Sequence, residues 1–396
     1  MSSTFGWLDV DDEQRRRMLQ VVELFKESGT LDELGIGSVR DAIADLLFPG
    51  TSTLHTRLRY LLLVPWAMTE VVDSGRHGDA VARMRRLEIK TIGALLTGSS
   101  SRDGIIGRDS KARLKRMPSE LYWGALRTYG IVSVDMSAQN WFRQARRVTS
   151  DVEDSTGRTR GMIFGLHPDL PGPPQDWLTS CSTELRLAEA DFLRDRLQSA
   201  VGTSLLGWLA AADQHWDTSG GMIWEHPALA SFPSGIRDVV DNARRLSVSF
   251  HGAMLLYNLM LAEKLSDEDE ASLVDDYREL LDEWEQELSG ARVLDGWDHR
   301  VLWEIAETSG RRVKPGLRQF FGSWIRILES GGPLAGSAAA RELVRARERT
   351  LKGSRSRFDN RAALNAWSGE SGLGRLSFRW PVASRWLDDL NAAGGR

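Results

Sequence analysis

The sequence predicts a mainly α protein: a multi-helix array in two packed units, with a long buried central helix in the C-terminal half. Three observations carry this expectation. Apolar residues recur at three- and four-residue spacing through nearly the whole chain. One such stripe, Ser234 to Leu265, carries Ile236, Val239, Val240, Ala243, Leu246, Phe250, Met254, Tyr257, Leu261 and Leu265. Leu255, Leu256, Leu259 and Met260 widen it until the helix is apolar nearly all round, the pattern of a helix buried on most sides. Finally, residues 149–174 hold four prolines and four glycines with no apolar period, which marks a boundary. The expected division is a basic-faced helical domain at 1–150, a Pro/Gly-rich linker at 151–180, and a helical domain at 181–396 with an acidic middle and a basic end.

Taken in order, Asp11 or Asp12 can cap a helix carrying Met18, Leu19, Val22 and Phe25, with Gly29 as its stop. Ser38 stands three residues before Asp41, a capping-box-like start for Val39–Phe48, which Pro49-Gly50 ends. Thr53 to Asp73 is expected as one helix kinked at Pro65, because an interior proline removes a backbone hydrogen bond. Asp41 and Asp45 would lock that helix to its predecessor through Arg57 and Arg59; alternatively, Thr51, Ser52, Thr53 and Arg57 form a phosphate-binding helix N-terminus. Gly78–Leu96 puts Val81, Met84, Leu87, Ile92 and Leu95 inward and Arg83, Arg85, Arg86 and Lys90 outward. A Gly/Ser loop at 97–110 leads to the basic turn Lys111, Arg113, Lys115 and Arg116. Pro118–Tyr129 and Ser137–Val148 read as short aromatic-rich helices, then Ser182–Ala200 and Ser204–Trp216. An acidic helix, Asp267–Leu288, is expected to fold back on the long apolar one, followed by Trp297–Thr308, Pro315–Glu329 and Ser337–Leu351. The last is basic on its outer face through Arg341, Arg345, Arg347, Arg349 and Lys352, and a short helix closes the tail.

With 396 residues, 41% of them apolar, the chain can build real cores. Its single cysteine, Cys181, excludes an intrachain disulfide framework and Cys-rich zinc sites, and fits a reducing cytoplasm. Met1–Val10 lacks the basic start and apolar run of a signal peptide. The apolar stretch Leu61–Met68 is interrupted by Pro65 and falls short of the ~20 residues a bilayer requires, so a cytoplasmic protein without a membrane partner is expected. The net charge of −4 conceals segregation. Residues 1–170 carry 24 Lys/Arg against 22 Asp/Glu, residues 171–310 carry 10 against 26, and residues 311–396 carry 17 against 7. Either the acidic middle compensates the basic flanks, or a basic face is left for a polyanion.

Few residue patterns point to chemistry. Asp213, His215, Asp217, Glu225 and His226 offer metal-type ligands, but Thr218 and Trp224 occupy the glycine and bidentate-glutamate positions an EF-hand needs. The alternative is a helix end and turn with ordinary capping groups. Glu88-Ile89-Lys90 matches the bare E-x-K of some nucleases, yet lies in a helical rather than a strand pattern. The 97–110 loop could cradle a phosphate with help from Arg102, Arg108 and Lys111, or be a mobile surface loop. No cofactor is expected. The basic sets carry the main reading: Arg57 and Arg59; Arg83, Arg85 and Arg86; Arg102 and Arg108; Lys111, Arg113, Lys115 and Arg116; Arg143, Arg146 and Arg147. Residues 76–147 hold 15 basic against 6 acidic side chains, a surface that could track phosphates. Tyr122, Trp123, Trp141 and Phe142 lie between them, suited to stacking on single strands or to a core.

The segments DELGIGSVRDAIADLLFPGTSTLHTRLRYLLLVPW, DGIIGRDSKARLKRMPSELYWGALRTYGI, FHGAMLLYNLMLAE and RFDNRAALNAWSG together resemble a bacterial family of proteins of about this length and of unknown function. The matching residues are Arg40, Asp41, Asp45, Pro49, Gly50, Thr51, Thr56, Arg57, Arg59, Tyr60, Pro65, Trp66, Gly107, Arg108, Tyr122, Trp123 and Gly130. The resemblance implies no activity. It implies an association with helicases and phospholipase-D-like nucleases in anti-phage defence islands. The resulting expectation is a non-catalytic subunit of a multi-protein defence system, contacting DNA or assembling other proteins, with a helicase or nuclease as partner. The alternatives are a pure protein scaffold and a metal-dependent nuclease or hydrolase using Asp213, His215, Asp217 and His226.

Overall fold

The computed structural model describes residues 32–74, 79–144, 147–148, 162–212, 221–265 and 271–394. Among them are fourteen α-helices and one antiparallel pair of two-residue strands, so the protein is mainly α. The helices are α1 Gly37–Leu47, α2 Tyr60–Asp73, α3 Ala80–Gly98, α4 Pro118–Thr128, α5 Ala138–Gln144, α6 Leu187–Val201, α7 Leu205–Ala211 and α8 Ser234–Leu265. They continue as α9 Ala271–Ala291, α10 Val301–Thr308, α11 Pro315–Ser330, α12 Ala338–Lys352, α13 Arg361–Asn365 and α14 Trp380–Ala393. The strands β1 Arg147–Val148 and β2 Met162–Ile163 pair between α5 and α6. The helix expected near Asp11–Gly29 lies outside the described residues. No helix among the described residues is long and apolar enough to cross a membrane.

The described residues group into two compact units: those up to Ala42 with Asp241–Leu376, and Ile43–Val240 with those from Ser377 onward. In the first unit, α8 is buried without interruption from Gly252 to Ala262. A helix apolar on every side must be covered on every side. Gly252 lies thirteen residues before Leu265 and Trp284 thirteen after Ala271, and the two meet, as an antiparallel hairpin of α8 and α9 requires. A Cβ at Gly252 would stand 2.3 Å from the Trp284 ring, so the glycine is what admits the indole. Trp284 then donates from Nε1 to Val248 O, and Trp324 of α11 to Ser249 O, both at 2.8 Å. Each buried indole contributes roughly 4–6 kcal/mol of burial free energy at about 25 cal/mol per Å².

In the second unit, α2 is buried from Tyr60 through Met68 and again at Val71. The expected start at Thr53 is wrong: residues 51–59 form turns and the helix begins at Tyr60. The reason is where the amides go. Thr56 N donates to Tyr122 Oη at 2.8 Å and Leu58 N to Asp389 Oδ2 at 2.8 Å, so side chains distant in sequence take hydrogens a helical turn would have used. The helix then runs unbroken through Pro65. Likewise α5 stops at Gln144 rather than continuing to Val148, because Arg147 and Val148 pair with Ile163 and Met162 as strands. The described part of the Pro/Gly-rich segment is packed into this unit: Trp66 Nε1 donates to Pro171 O at 2.6 Å, and Trp177 sits edge-on to Trp66 with ring centroids 5.7 Å apart.

Candidate nucleic-acid interface

Helix α3 begins at an N-cap where Asp79 Oδ1 accepts the Val81 N–H at 2.9 Å. Its packed side presents Met84, Glu88, Thr91, Ile92 and Leu95, which leaves Arg86 and Lys90 exposed one turn apart. The 99–110 loop is seated on the packed side. A Cβ at Gly107 (φ +81°) would fall 2.7 Å from Ile92 Cδ1, and one at Gly104 (φ +74°) 2.7 Å from Arg57 Cγ, so only glycine fits either place. Thr56 Oγ1 donates to Gly104 O at 2.7 Å, and Ile106 N to Tyr60 Oη at 2.9 Å. The loop is therefore held, not mobile. Its Ile105, Ile106, Arg108 and Lys111 amides already donate within the chain, which removes them from any phosphate cradle.

The turn after the loop is held as firmly. Lys111 N donates to Gly107 O at 2.7 Å, with Lys111 in the left-handed region at φ +46°. Arg85 of α3 reaches over with Nη2 to Ala112 O at 3.1 Å and Leu114 O at 2.9 Å. These bonds fix residues 111–116 beside α3. Arg86, Lys90, Arg102, Lys111, Arg113, Lys115 and Arg116 are all exposed, and none has a side-chain hydrogen bond or ion pair among the described residues. Arg83 is half-buried, and Arg108 is half-buried against Asp109 at 3.1 Å. Arg143 of α5 is exposed beside Asn140, while the side chains of Arg146 and Arg147 lie outside the described residues.

Other predicted contacts belong to the core. Arg57 pairs with the buried Asp389 carboxylate at 2.6 Å, and Arg59 with the buried Glu189 at 2.8 Å while also donating to Ser182 O at 2.7 Å. Neither is presented to a phosphate, because each neutralises a carboxylate that burial would otherwise leave exposed to a low dielectric. The expected lock of Asp41 and Asp45 on these arginines does not form either. Asp41 faces Arg40 at 3.0 Å, and Asp45 takes Arg379 at 2.6 Å. Thr51 is buried with its hydroxyl on Phe48 O at 2.6 Å, so no phosphate-binding helix N-terminus exists at 51–57. The basic face expected on α12 is spent as well: Arg341 grips Glu263 with two bonds at 2.6 and 2.9 Å, Arg349 grips Asp359 at 2.6 and 2.7 Å, and Arg347 donates to Leu34 O at 2.9 Å. Arg345 pairs with Glu342 at 2.9 Å, and Lys352 pairs with Glu33.

The aromatics between the basic sets are also internal. Tyr122 and Trp141 are fully buried, with Trp123 at 9% and Phe142 at 6% exposure. Tyr122 stacks on His55 at 4.2 Å and Trp141 Nε1 donates to Phe164 O at 2.8 Å. Burial drives the His55 imidazole down to about 4, so it is a neutral packing element at physiological pH.

Of the metal-type residues, Asp213, His215 and Asp217 lie outside the described residues. Glu225 accepts the Met222 N–H at 2.7 Å, and His226 accepts the Ala228 N–H at 3.1 Å with its ring against Phe232 and Trp380. Burial lowers its pKa to about 4. No cluster of three or more metal-type side chains occurs among the described residues. Cys181 is buried, and burial raises its thiol pKa, which makes it unreactive.

Glu88 of the E-x-K triplet is on a helix and buried, accepting the Ser119 N–H at 2.7 Å and so capping the start of α4. Burial raises its pKa to about 7, with Glu120 adding to the rise and the Ser119 bonds and Arg85 opposing it. The folded state thus holds a proton that an unfolded glutamate has lost. The associated stability is fully present below about pH 4.5 and is lost as pH rises through about 7. Glu88→Gln, which keeps the acceptor, is expected to flatten this dependence by about 3 kcal/mol between those limits. Denaturant midpoints at acid and alkaline pH measure it, and parallel curves for the two proteins would show that Glu88 is already ionised in the fold.

Sequence reasoning missed a buried polar centre in the first unit. Glu33 and Glu348 are 3% and 0% exposed. Lys352 pairs with both, and Arg357 bonds Glu33 Oε1, Tyr257 Oη and Ser371 Oγ at 3.0, 3.0 and 2.9 Å. Asn258 completes the join, donating to Ser371 O at 2.9 Å and accepting its N–H at 2.8 Å. The charges balance, two anions against two cations, and the partners are all internal, so the centre fastens chain segments. Its signal was present: Tyr257 and Asn258 interrupt the otherwise apolar run Ala253–Ala262, and buried polar groups require partners. Three of the segments that carry the family resemblance, those holding Glu33, Tyr257 and Arg357, converge on it.

The fold and site define a mainly α protein in which, among the described residues, a group of exposed cations without partners on α3 and the 111–116 turn lies beside a core where Arg57 and Arg59 are matched by buried carboxylates. The chain belongs to a family of unknown function, DUF6361, whose profile matches residues 1–394. No curated protein and no solved structure matches it.

Proposed function

We propose that the protein is a non-catalytic, nucleic-acid-contacting subunit whose interface is formed by the exposed cations of α3 and the 111–116 turn. One observation carries this reading: Arg86, Lys90, Lys111, Arg113, Lys115 and Arg116 have no partner among the described residues, while Arg57, Arg59 and the α12 cations are matched. Like charges held together on a rigid surface repel, and a polyanion relieves that repulsion while releasing its own counterions. The family resemblance supports placing this subunit in a multi-protein bacterial defence system, with a helicase or nuclease as partner.

Reversing Lys111, Arg113, Lys115 and Arg116 to glutamate is expected to abolish measurable binding near 50 mM salt and to lower the slope of log K against log salt by about 3–4. Affinity and slope unchanged from the parent would overturn the assignment. A second reading has its own observation. On α9, Asp276, Glu279, Asp282 and Glu283 are exposed without partners among the described residues, which suits a scaffold that docks a basic protein. Co-purification that persists in the charge-reversed protein and is lost on neutralising these four acids would favour it.

A further inference from the structure

We infer that the nucleic acid is double-stranded and is held by its phosphate backbone without base stacking; the inference rests on the interface proposed above. Proteins that hold single strands combine a cationic groove with exposed aromatics, and base stacking supplies about 1–3 kcal/mol per base. Here Tyr122, Trp123, Trp141 and Phe142, the aromatics interleaved with the basic residues, are committed to the core through ring stacking and indole hydrogen bonds. Among the described residues, the large hydrophobics with substantial exposure are Val81, Leu187, Leu280 and Leu351, and none is aromatic. Among the described residues the surface offers charge without an aromatic platform for bases.

The rigidity of the cations points the same way. Arg86 and Lys90 stand one helical turn apart, about 6 Å along the axis, which spans roughly two phosphates of one strand at about 3.4 Å each. The second set is fastened by Arg85 to Ala112 O and Leu114 O and by Lys111 N to Gly107 O. A fixed array gains most from a target whose phosphates are already fixed. A duplex with a persistence length of about 50 nm provides that lattice, whereas a flexible single strand pays conformational entropy to match it. Arg85 is thus a positioning residue, its guanidinium holding the turn that presents the cations.

The test is anisotropy titration of the full-length protein against labelled DNA and RNA duplexes of about 25 base pairs and against each constituent strand, over a salt series. Binding of a duplex at least about tenfold tighter than its strands is expected, with a slope near −0.9 per neutralised phosphate. Arg85→Lys keeps the charge but loses the two-carbonyl grip. It is expected to weaken duplex binding several-fold while the thermal midpoint shows the protein still folded. Equal or tighter binding to the single strands overturns the duplex inference and leaves the interface standing. Binding to none of the probes, or binding untouched by charge reversal at 111–116, overturns the interface itself.

Discussion

Glu348→Ala is expected to cost about 3–5 kcal/mol of stability, the largest loss from a single substitution in the first unit. Glu348 is 0% exposed, and its carboxylate accepts from Ser356 Oγ, from Arg357 N at 2.9 Å and from Lys352 Nζ at 3.3 Å. Truncation strands a buried hydroxyl and a backbone N–H, each at its own desolvation cost, and leaves Lys352 with Glu33 as its remaining counter-charge in this cluster. Glu348→Gln keeps an acceptor but removes the charge opposite Lys352, so about half the loss is expected. For a unit of this size the alanine variant should melt roughly 10 °C lower. A shift of only one or two degrees would mean that solvent enters the cluster and replaces the lost partner.

In the second unit, Asp389→Asn is expected to destabilise by about 3 kcal/mol although it preserves shape. Asp389 is 5% exposed and takes three donors: Arg57 Nε at 2.9 Å, Arg57 Nη2 at 2.6 Å and Leu58 N at 2.8 Å. Burial raises its pKa from the ordinary aspartate value while Arg57 and the Leu58 amide pull it down. An asparagine oxygen can still serve Leu58, but Arg57 is left without a counter-charge. Because desolvation offsets much of what a buried pair gains, replacing both partners with apolar side chains, Arg57→Met with Asp389→Leu, should recover part of the loss. Additive losses in that double-mutant cycle would show that the pair is not energetically coupled.

The helices were readable because their period is local. Ser234–Leu265 and Pro118 onward emerge where apolar spacing and a proline start place them. What could not be read was partner choice. Arg57 and Arg59 sit in sequence next to Asp41 and Asp45, yet the carboxylates they meet, Asp389 and Glu189, are 332 and 130 residues away. The same gap hid the start of α2, since nothing local shows that Leu58 N will donate to the last helix. Charge counts saw a basic N-terminal region and a basic C-terminal end as equivalents; only contacts distinguish cations matched by Glu263, Asp359 and Glu33 from those left free beside Arg85. Of the fourteen basic residues expected at the interface, Arg57 and Arg59 are taken up in ion pairs with buried carboxylates, while Arg86, Arg102 and the four of the turn stand exposed.

The placement of α14 has a consequence for how the chain is made. His55 stacks on Trp386 at 5.4 Å and Arg57 closes on Asp389, so part of the second unit's core is supplied by the last helix. A ribosome adding about 5–20 residues per second emits the 332 residues separating Arg57 from Asp389 in roughly 15 seconds to a minute. Throughout that interval α2 has emerged without its closing carboxylate, and the completion of this unit awaits synthesis of α14. Until then His55, Tyr122 and Tyr129 lack the Trp386 ring that packs against them, so closure of this aromatic cluster is timed by translation of α14.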